Sequence, residues 1–170
     1  MLATFNLYEQ YAAATYCPDN DNKDIKLNCS CGNCPLVENT NAVTVLGFIN
    51  ELSTDVTGYV ATDPINKLIV VAFRGSVTVS NFIADIEFPL TPIDICTRCK
   101  GETGFWTSWT QARDEVLSAV KSAAAANPSY KIVSVGHSLG GAIAAYAAAE
   151  LRNSGLIVDL VGAIPTLSLP

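Results

Sequence analysis

The stretch that decides the fold is Val133-Ser134-Val135-Gly136-His137-Ser138-Leu139-Gly140-Gly141-Ala142. An apolar strand runs up to Gly136, a sharp turn follows with Ser138 at its tip, and an alanine-rich helix leaves from Leu139. This is the G-x-S-x-G pattern of a nucleophile elbow. Glycine is needed at Gly136 and Gly140 because side chains there would collide with the neighbouring strand and helix. The stretch therefore predicts a strand–turn–helix unit that presents a serine.

The patterns on both sides of this unit predict an α/β fold. Strands are predicted at 43–49, 56–62, 68–73, 132–135 and 157–161, helices at 3–16, 80–86, 105–127 and 139–151, and loops at 18–42 and 88–104. The run at 68–73 is apolar throughout, which is typical of a strand that is covered on both faces. Strand and helix alternate after residue 56, so we expect a central, largely parallel sheet with Ser138 at the carboxyl end of a central strand.

Composition limits the possible classes of protein. The chain has 170 residues, of which 49% are hydrophobic and 15% charged, and this suits a single domain over residues 1–170. The net charge of −6, without a basic cluster, argues against a nucleic-acid partner. The sequence contains no apolar run of about 18 residues that could span a membrane. No basic segment typical of a signal peptide precedes the predicted helix at 3–16.

Cysteines occur in two local clusters, with one further cysteine near the first helix. The clusters are 29, 31 and 34, and then 96 and 99, and the further residue is Cys17. Such spacing can indicate a zinc site. The only histidine is His137, inside the elbow, so disulfides are favoured over metal and imply an oxidising compartment. Asn28-Cys29-Ser30 is a glycosylation sequon whose middle residue is expected in a disulfide.

A serine nucleophile needs a base and hydrogen-bond donors for the oxyanion. One donor is predicted to be the N–H of Leu139 at the start of the helix, where the helix dipole helps. The second is predicted to come from Ser76, in the loop after the apolar strand. His137 is adjacent to Ser138, and neighbouring side chains diverge on such a turn. We therefore expect His137 to pack or hydrogen-bond beneath the turn, which leaves no identifiable general base in the chain.

Several motifs in one colinear run, from about residue 5 to residue 162, resemble the fungal class 3 lipases. The matching segments are 66–70, 73–76, 81–83, 96–101, 104–105 with 108–109, and 136–142. The family comprises secreted triacylglycerol lipases, with relatives that act on mono- and diacylglycerols and feruloyl esters. The resemblance implies an α/β-hydrolase-like three-layer sandwich that hydrolyses carboxylic esters without a metal or cofactor, at a lipid–water interface.

The resemblance also implies a role for each matching residue. Ser138 matches the nucleophile that forms the acyl-enzyme, and Ser76 and Leu139 match the oxyanion hole. The segment 77–90 matches a lid that covers the site, with Phe82, Ile83 and Ile86 as lipid-binding residues. The pairs Cys96–Cys99 and Cys29–Cys34 match family disulfides. Cys17 matches a cysteine that pairs near the family's C-terminus, and pairing with Cys31 is the alternative.

The sequence departs from the family pattern after the strand at 157–161. The family's catalytic Asp and His lie downstream of that strand, and residues 161–170 diverge from the expected segment. We therefore expect a domain that lacks its C-terminal strands, is inactive or nearly so, and exposes a sheet edge that favours self-association. Three interpretations stay open: an acylglycerol lipase, an enzyme like the feruloyl esterases, and a non-catalytic lipid-binding protein. The lid residues favour glycerides.

Overall fold

The computed structural model describes residues 2–50, 54, 56–76 and 89–163. Its elements are α1 (Leu2–Ala14), α2 (Pro35–Glu38), β1 (Val43–Asn50), β2 (Val56–Asp63), β3 (Leu68–Phe73), β4 (Leu90–Pro92), β5 (Lys100–Glu102), α3 (Thr103–Ala126), β6 (Lys131–His137), α4 (Leu139–Asn153) and β7 (Val158–Ala163). The strands and helices predicted within this part of the chain are confirmed, and their ends differ by no more than two residues. The short helix predicted at 80–86 lies outside the described residues.

The main sheet has five strands in the order β1-β2-β3-β6-β7. The pairs β1–β2 and β2–β3 are antiparallel, whereas β3–β6 and β6–β7 are parallel. The α/β class is confirmed, but the described sheet is mixed and its parallel pairing is confined to β3, β6 and β7. The reason is connection length, since residues 64–67 between β2 and β3 form a turn too short for a parallel crossover.

Helices cover both faces of this sheet, as expected for a three-layer sandwich. On one face α3 and α4 pack against the strands, and on the other face α1 and the disulfide-linked loop do so. Every residue of β3 is buried, which confirms the prediction from its apolar run. The predicted apolar stripe of α3 is also buried against the sheet, and its residues are Trp109, Ala112, Val116, Val120 and Ala123.

Two predicted loops contain regular structure. Within 88–104, β4 and β5 form a small antiparallel hairpin. The strands have three residues each and are mostly exposed, so they carry no apolar alternation that a sequence pattern could reveal. Within 18–42, the four-residue helix α2 begins at Pro35, a residue well suited to the first turn of a helix.

The structure joins the six cysteines as Cys17–Cys31, Cys29–Cys34 and Cys96–Cys99. The four sulfur atoms of the N-terminal cluster lie within 4.8 Å of one another, where they form two disulfides. In the part of the chain that the structure covers, no helix is both long and apolar enough to cross a membrane. Within the same residues β7 pairs only with β6, so the predicted self-association through that edge stays a prediction.

Candidate active site

The site is centred on the turn between β6 and α4. Ser138 occupies this turn with φ 55° and ψ −123°, a left-handed conformation that few side-chain-bearing residues adopt. Such a residue stores about 1–3 kcal/mol of strain and persists only where the surrounding structure fixes it. Ser138 is 9% exposed, so its hydroxyl sits in a largely enclosed position at the carboxyl end of a central strand.

Two glycines make the turn possible, as the sequence predicted. A Cβ atom at Gly136 would overlap the backbone of Gly140. A Cβ atom at Gly140 would in turn overlap the carbonyl group of Phe73 at the end of β3. The collisions predicted with the neighbouring strand and helix are therefore confirmed, and α4 approaches the sheet more closely than a helix with side chains at these positions could.

Small residues hold α4 against β6 beyond the turn. The hydroxyl of Ser134, which is buried in β6, donates to the carbonyl oxygen of Ala144 at 3.0 Å. Gly141 lies opposite β7, where an added Cβ would be 3.6 Å from the Gly162 Cα atom. Because strand and helix are fastened together on this face, the turn between them has little freedom to relax.

Backbone donors surround the serine at the start of α4. The Ser138 carbonyl oxygen accepts hydrogen bonds from Gly141 at 2.9 Å and Ala142 at 3.4 Å, which closes the first helical turn. The N–H of Leu139, the first residue of α4, has no intrahelical acceptor at that position. It lies at the positive end of the helix dipole, where a negative oxygen is stabilised.

The sheet register brings the loop after β3 to the same end. Phe73 lies opposite Gly136 in the parallel pair β3–β6, so residues 74–76 run beside the turn. Gly75 is buried there, and an added Cβ would overlap the His137 carbonyl oxygen. The structure therefore brings Ser76, Ser138 and Leu139 to one end of the sheet.

His137 contacts Tyr16, which lies in the turn after α1. The Tyr16 hydroxyl lies 3.3 Å from His137 Nδ1 and accepts the Gly75 N–H at 3.1 Å. Burial raises the pKa of the Tyr16 phenol, against the opposing effects of the Gly75 hydrogen bond and the Arg74 charge. The phenol therefore keeps its proton at neutral pH and can donate it to Nδ1. These contacts link the turn after α1 to the loop that carries Ser76.

A second polar network fastens α4 from its other end. Glu150, 6% exposed, accepts hydrogen bonds from Trp109 Nε1 at 3.0 Å and from Arg113 Nε at 2.7 Å. Arg113 also donates to Asp94 at 3.1 Å, and its guanidinium lies 5.8 Å from the Trp106 ring centroid. Sequence reasoning missed both this network and Tyr16, because their partners are far apart in the chain and follow no local pattern.

The predicted lid residues Phe82, Ile83 and Ile86 lie outside the described residues.

Two family models and several known proteins match most of the chain. A family model described as "Lipase (class 3)" matches residues 70–163, and one described as "Lipase 3 N-terminal region" matches residues 2–45. The chain is 44% identical over 156 residues to the secreted mono- and diacylglycerol lipase A of Penicillium cyclopium, which covers 91% of this chain and 51% of the relative. It is 42% identical over 159 residues to the secreted mono- and diacylglycerol lipase 1 of Fusarium solani, with coverage of 94% and 47%.

A solved lipase structure also matches the chain. The mono- and diacylglycerol lipase from Aspergillus oryzae matches with a TM-score of 0.90 and 46% identity, over 96% of this chain and 61% of that one. The chain thus spans about half the length of the curated relatives it matches.

Proposed function

The chain belongs to the class 3 lipases, and on that basis we propose that it supplies the nucleophile and oxyanion donors of a secreted carboxylic ester hydrolase. The observation that carries the proposal is Ser138, held at positive φ between β6 and α4 with the N–H of Leu139 and the Ser76 loop beside it. A strained serine at the start of a helix is the arrangement that a nucleophile elbow requires.

The proposed reaction begins when Ser138 Oγ attacks the carbonyl carbon of an ester. The hydroxyl proton passes to a base, and the carbonyl oxygen becomes negatively charged in the tetrahedral intermediate. The N–H groups of Leu139 and Ser76 stabilise this oxyanion, and losing one such donor typically costs about 2.7–4 kcal/mol. Collapse of the intermediate releases the alcohol and leaves an acyl-Ser138 ester, which water hydrolyses to the free acid.

We do not assign the role of base to His137. Its Nδ1 atom faces the Tyr16 hydroxyl at 3.3 Å, which gives the ring a structural task beside the Ser76 loop. We assign the base to none of the described residues.

We further propose that the substrates are mono- and diacylglycerols and that the protein acts outside the cell. The named relatives above support both statements, since they are called secreted mono- and diacylglycerol lipases. Three disulfides also suit an oxidising compartment. The lid role of Phe82, Ile83 and Ile86 at a lipid surface remains part of the proposal.

The nucleophile is tested by treating the purified protein with a fluorophosphonate probe. Trypsin should release residues 132–152 as one peptide that contains both Ser134 and Ser138. Fragment-ion spectra should place the probe on Ser138, because the Ser134 hydroxyl is buried and bonded to Ala144. A Ser138→Ala variant should lose the label, and a Ser134→Ala variant should keep it. A natively folded protein that is unlabelled at Ser138 would refute the proposed nucleophile.

The substrate class is tested separately with mono-, di- and triacylglycerol emulsions and a feruloyl ester. Faster release of acid from mono- and diacylglycerols supports the proposal, and faster release from the feruloyl ester overturns its substrate class alone. Liposome binding without hydrolysis of any ester would instead support a non-catalytic lipid-binding protein.

A further inference from the structure

The triplet Asn28-Cys29-Ser30 lies in the loop between α1 and α2 and takes no part in the chemistry proposed for Ser138. It is the one Asn-x-Ser/Thr triplet of the sequence whose middle residue is not proline. We propose that Asn28 is an N-glycosylation site, which receives an oligosaccharide as the chain passes through a eukaryotic secretory pathway.

The side-chain amide of Asn28 is available to receive a glycan. Its Oδ1 atom accepts the backbone N–H of Ser30 at 3.0 Å, which folds the triplet into a turn. No hydrogen bond from Asn28 Nδ2 occurs within the described residues. Asn28 is half-buried, and among the same residues no buried side-chain nitrogen or oxygen lacks a partner, so Nδ2 keeps some exposure to solvent. Nδ2, the atom that would carry the sugar, therefore makes no hydrogen bond among the described residues that a glycan would break.

A different asparagine performs the structural task in this loop. Asn20 is fully buried, and its Oδ1 atom accepts the backbone N–H of Asn28 at 3.0 Å. Its Nδ2 atom donates to the carbonyl oxygens of Asn28 at 2.8 Å and Ala14 at 2.9 Å. The backbone of Asn28 is thus positioned by Asn20, and a glycan on the Asn28 side chain would disturb none of these bonds.

The disulfide at the middle residue lies on the inner side of the loop. Cys29 is 8% exposed and is bonded to the fully buried Cys34. Ser30 is exposed, and so is Cys31 after it. The disulfide is therefore buried beneath the loop surface, and a bonded Cys29 leaves room for the oligosaccharide.

The modification needs a lipid-pyrophosphate-linked oligosaccharide as its donor. The bond between the first sugar carbon and the pyrophosphate oxygen breaks, and a bond from that carbon to Asn28 Nδ2 forms. The lipid pyrophosphate leaves, and one Nδ2 proton passes to a base of the transferase. The product is a bulky, solubilising group on a surface loop.

The test is secretion of the full chain from a eukaryotic host, followed by peptide mass mapping before and after amidase removal of N-linked glycans. Removal should convert Asn28 to aspartate in the peptide map. Ser30→Ala should abolish the modification, because it removes the hydroxyl that the transferase requires and leaves the Asn28 turn in place. Ser30→Thr should retain it.

A built-in control distinguishes an unused site from an inactive host. Asn127-Pro128-Ser129 is blocked by its proline, and Pro128→Ala would open it as a second sequon. Secreted Pro128→Ala protein that carries a glycan at Asn127 but none at Asn28 would overturn the proposal. Wild-type and Ser30→Ala proteins whose masses differ in that host only by the oxygen atom lost in the substitution would also overturn it.

Discussion

Replacing Arg113 with leucine should lower the free energy of unfolding by about 3 kcal/mol. Arg113 Nε lies 2.7 Å from Glu150 Oε2, and the Glu150 side chain is 7% exposed. Without the guanidinium, this carboxylate keeps the Trp109 N–H as its donor, and an unpaired buried charge typically costs ~3–5 kcal/mol. The lower end applies because the Arg113 side chain is 29% exposed, so water can reach part of the gap.

The assay is urea unfolding followed by far-ultraviolet circular dichroism, since Trp106 and Trp109 touch the substituted side chain or its partner and would alter fluorescence directly. With a slope of about 2 kcal/mol per molar urea, the midpoint should fall by about 1.5 M. The control is Asp94→Asn, which removes the other partner of Arg113, a side chain that is 63% exposed. Its cost should be about 0–1 kcal/mol.

The double variant Arg113→Leu with Glu150→Gln should regain part of the loss, because it removes the stranded charge and keeps an acceptor for Trp109. If Arg113→Leu shifts the midpoint no further than Asp94→Asn does, the argument from a buried ion pair is refuted.

Three further predictions concern the elbow and the tyrosines. Gly140→Ala should abolish probe labelling of Ser138, because its Cβ overlaps the Phe73 carbonyl group. Gly141→Ala should reduce labelling less, because its Cβ would lie 3.1 Å from the nearest atom, the Gly136 carbonyl oxygen. Equal labelling of both variants would contradict this. Tyr16→Phe leaves the buried Gly75 N–H without an acceptor, so urea unfolding should show a loss of about 1–3 kcal/mol. The free energy of unfolding should also fall as pH rises above about 10, because burial raises the pKa of several phenols in the folded state. The unfolded chain then releases these protons at a lower pH than the folded protein does, so stability is lost as pH rises through the raised pKa values. A flat profile in urea titrations up to pH 11 would count against this prediction. These phenols are Tyr8, Tyr11, Tyr16, Tyr59 and Tyr146.

The elbow could be predicted from sequence because its causes are local. The glycines at 136 and 140 flank Ser138 by two residues, and their steric role is fixed by the turn itself. The resemblance to class 3 lipases is likewise confirmed, since it rests on motifs in their order along the chain. The antiparallel pairing of β2 with β3 differs from the largely parallel sheet that was expected, because residues 64–67 leave no length for a crossover.

The contacts that support the elbow could not be predicted in this way. Tyr16 and His137 are 121 positions apart, and Arg113 and Glu150 are 37 apart. In the sequence, Tyr16 is one more apolar residue on a helical face, and Glu150 is one acidic residue in an alanine-rich helix. Their partners are set by how the layers pack, and a single sequence read by itself carries no record of that packing.

The strain at Ser138 connects the two distant networks to the chemistry. A residue at φ 55° would relax if either neighbouring segment could move, so the turn depends on fixed positions for α4 and for the loop after β3. The Arg113–Glu150 pair joins α4 to α3, and Tyr16 joins the loop to the turn after α1. Loss of the buried ion pair should therefore lower the reactivity of Ser138. At a urea concentration well below its unfolding midpoint, the Arg113→Leu variant should be labelled at Ser138 more slowly than wild type. The Asp94→Asn variant should be labelled at the wild-type rate. Equal rates would show that the ion pair stabilises the fold without positioning the serine.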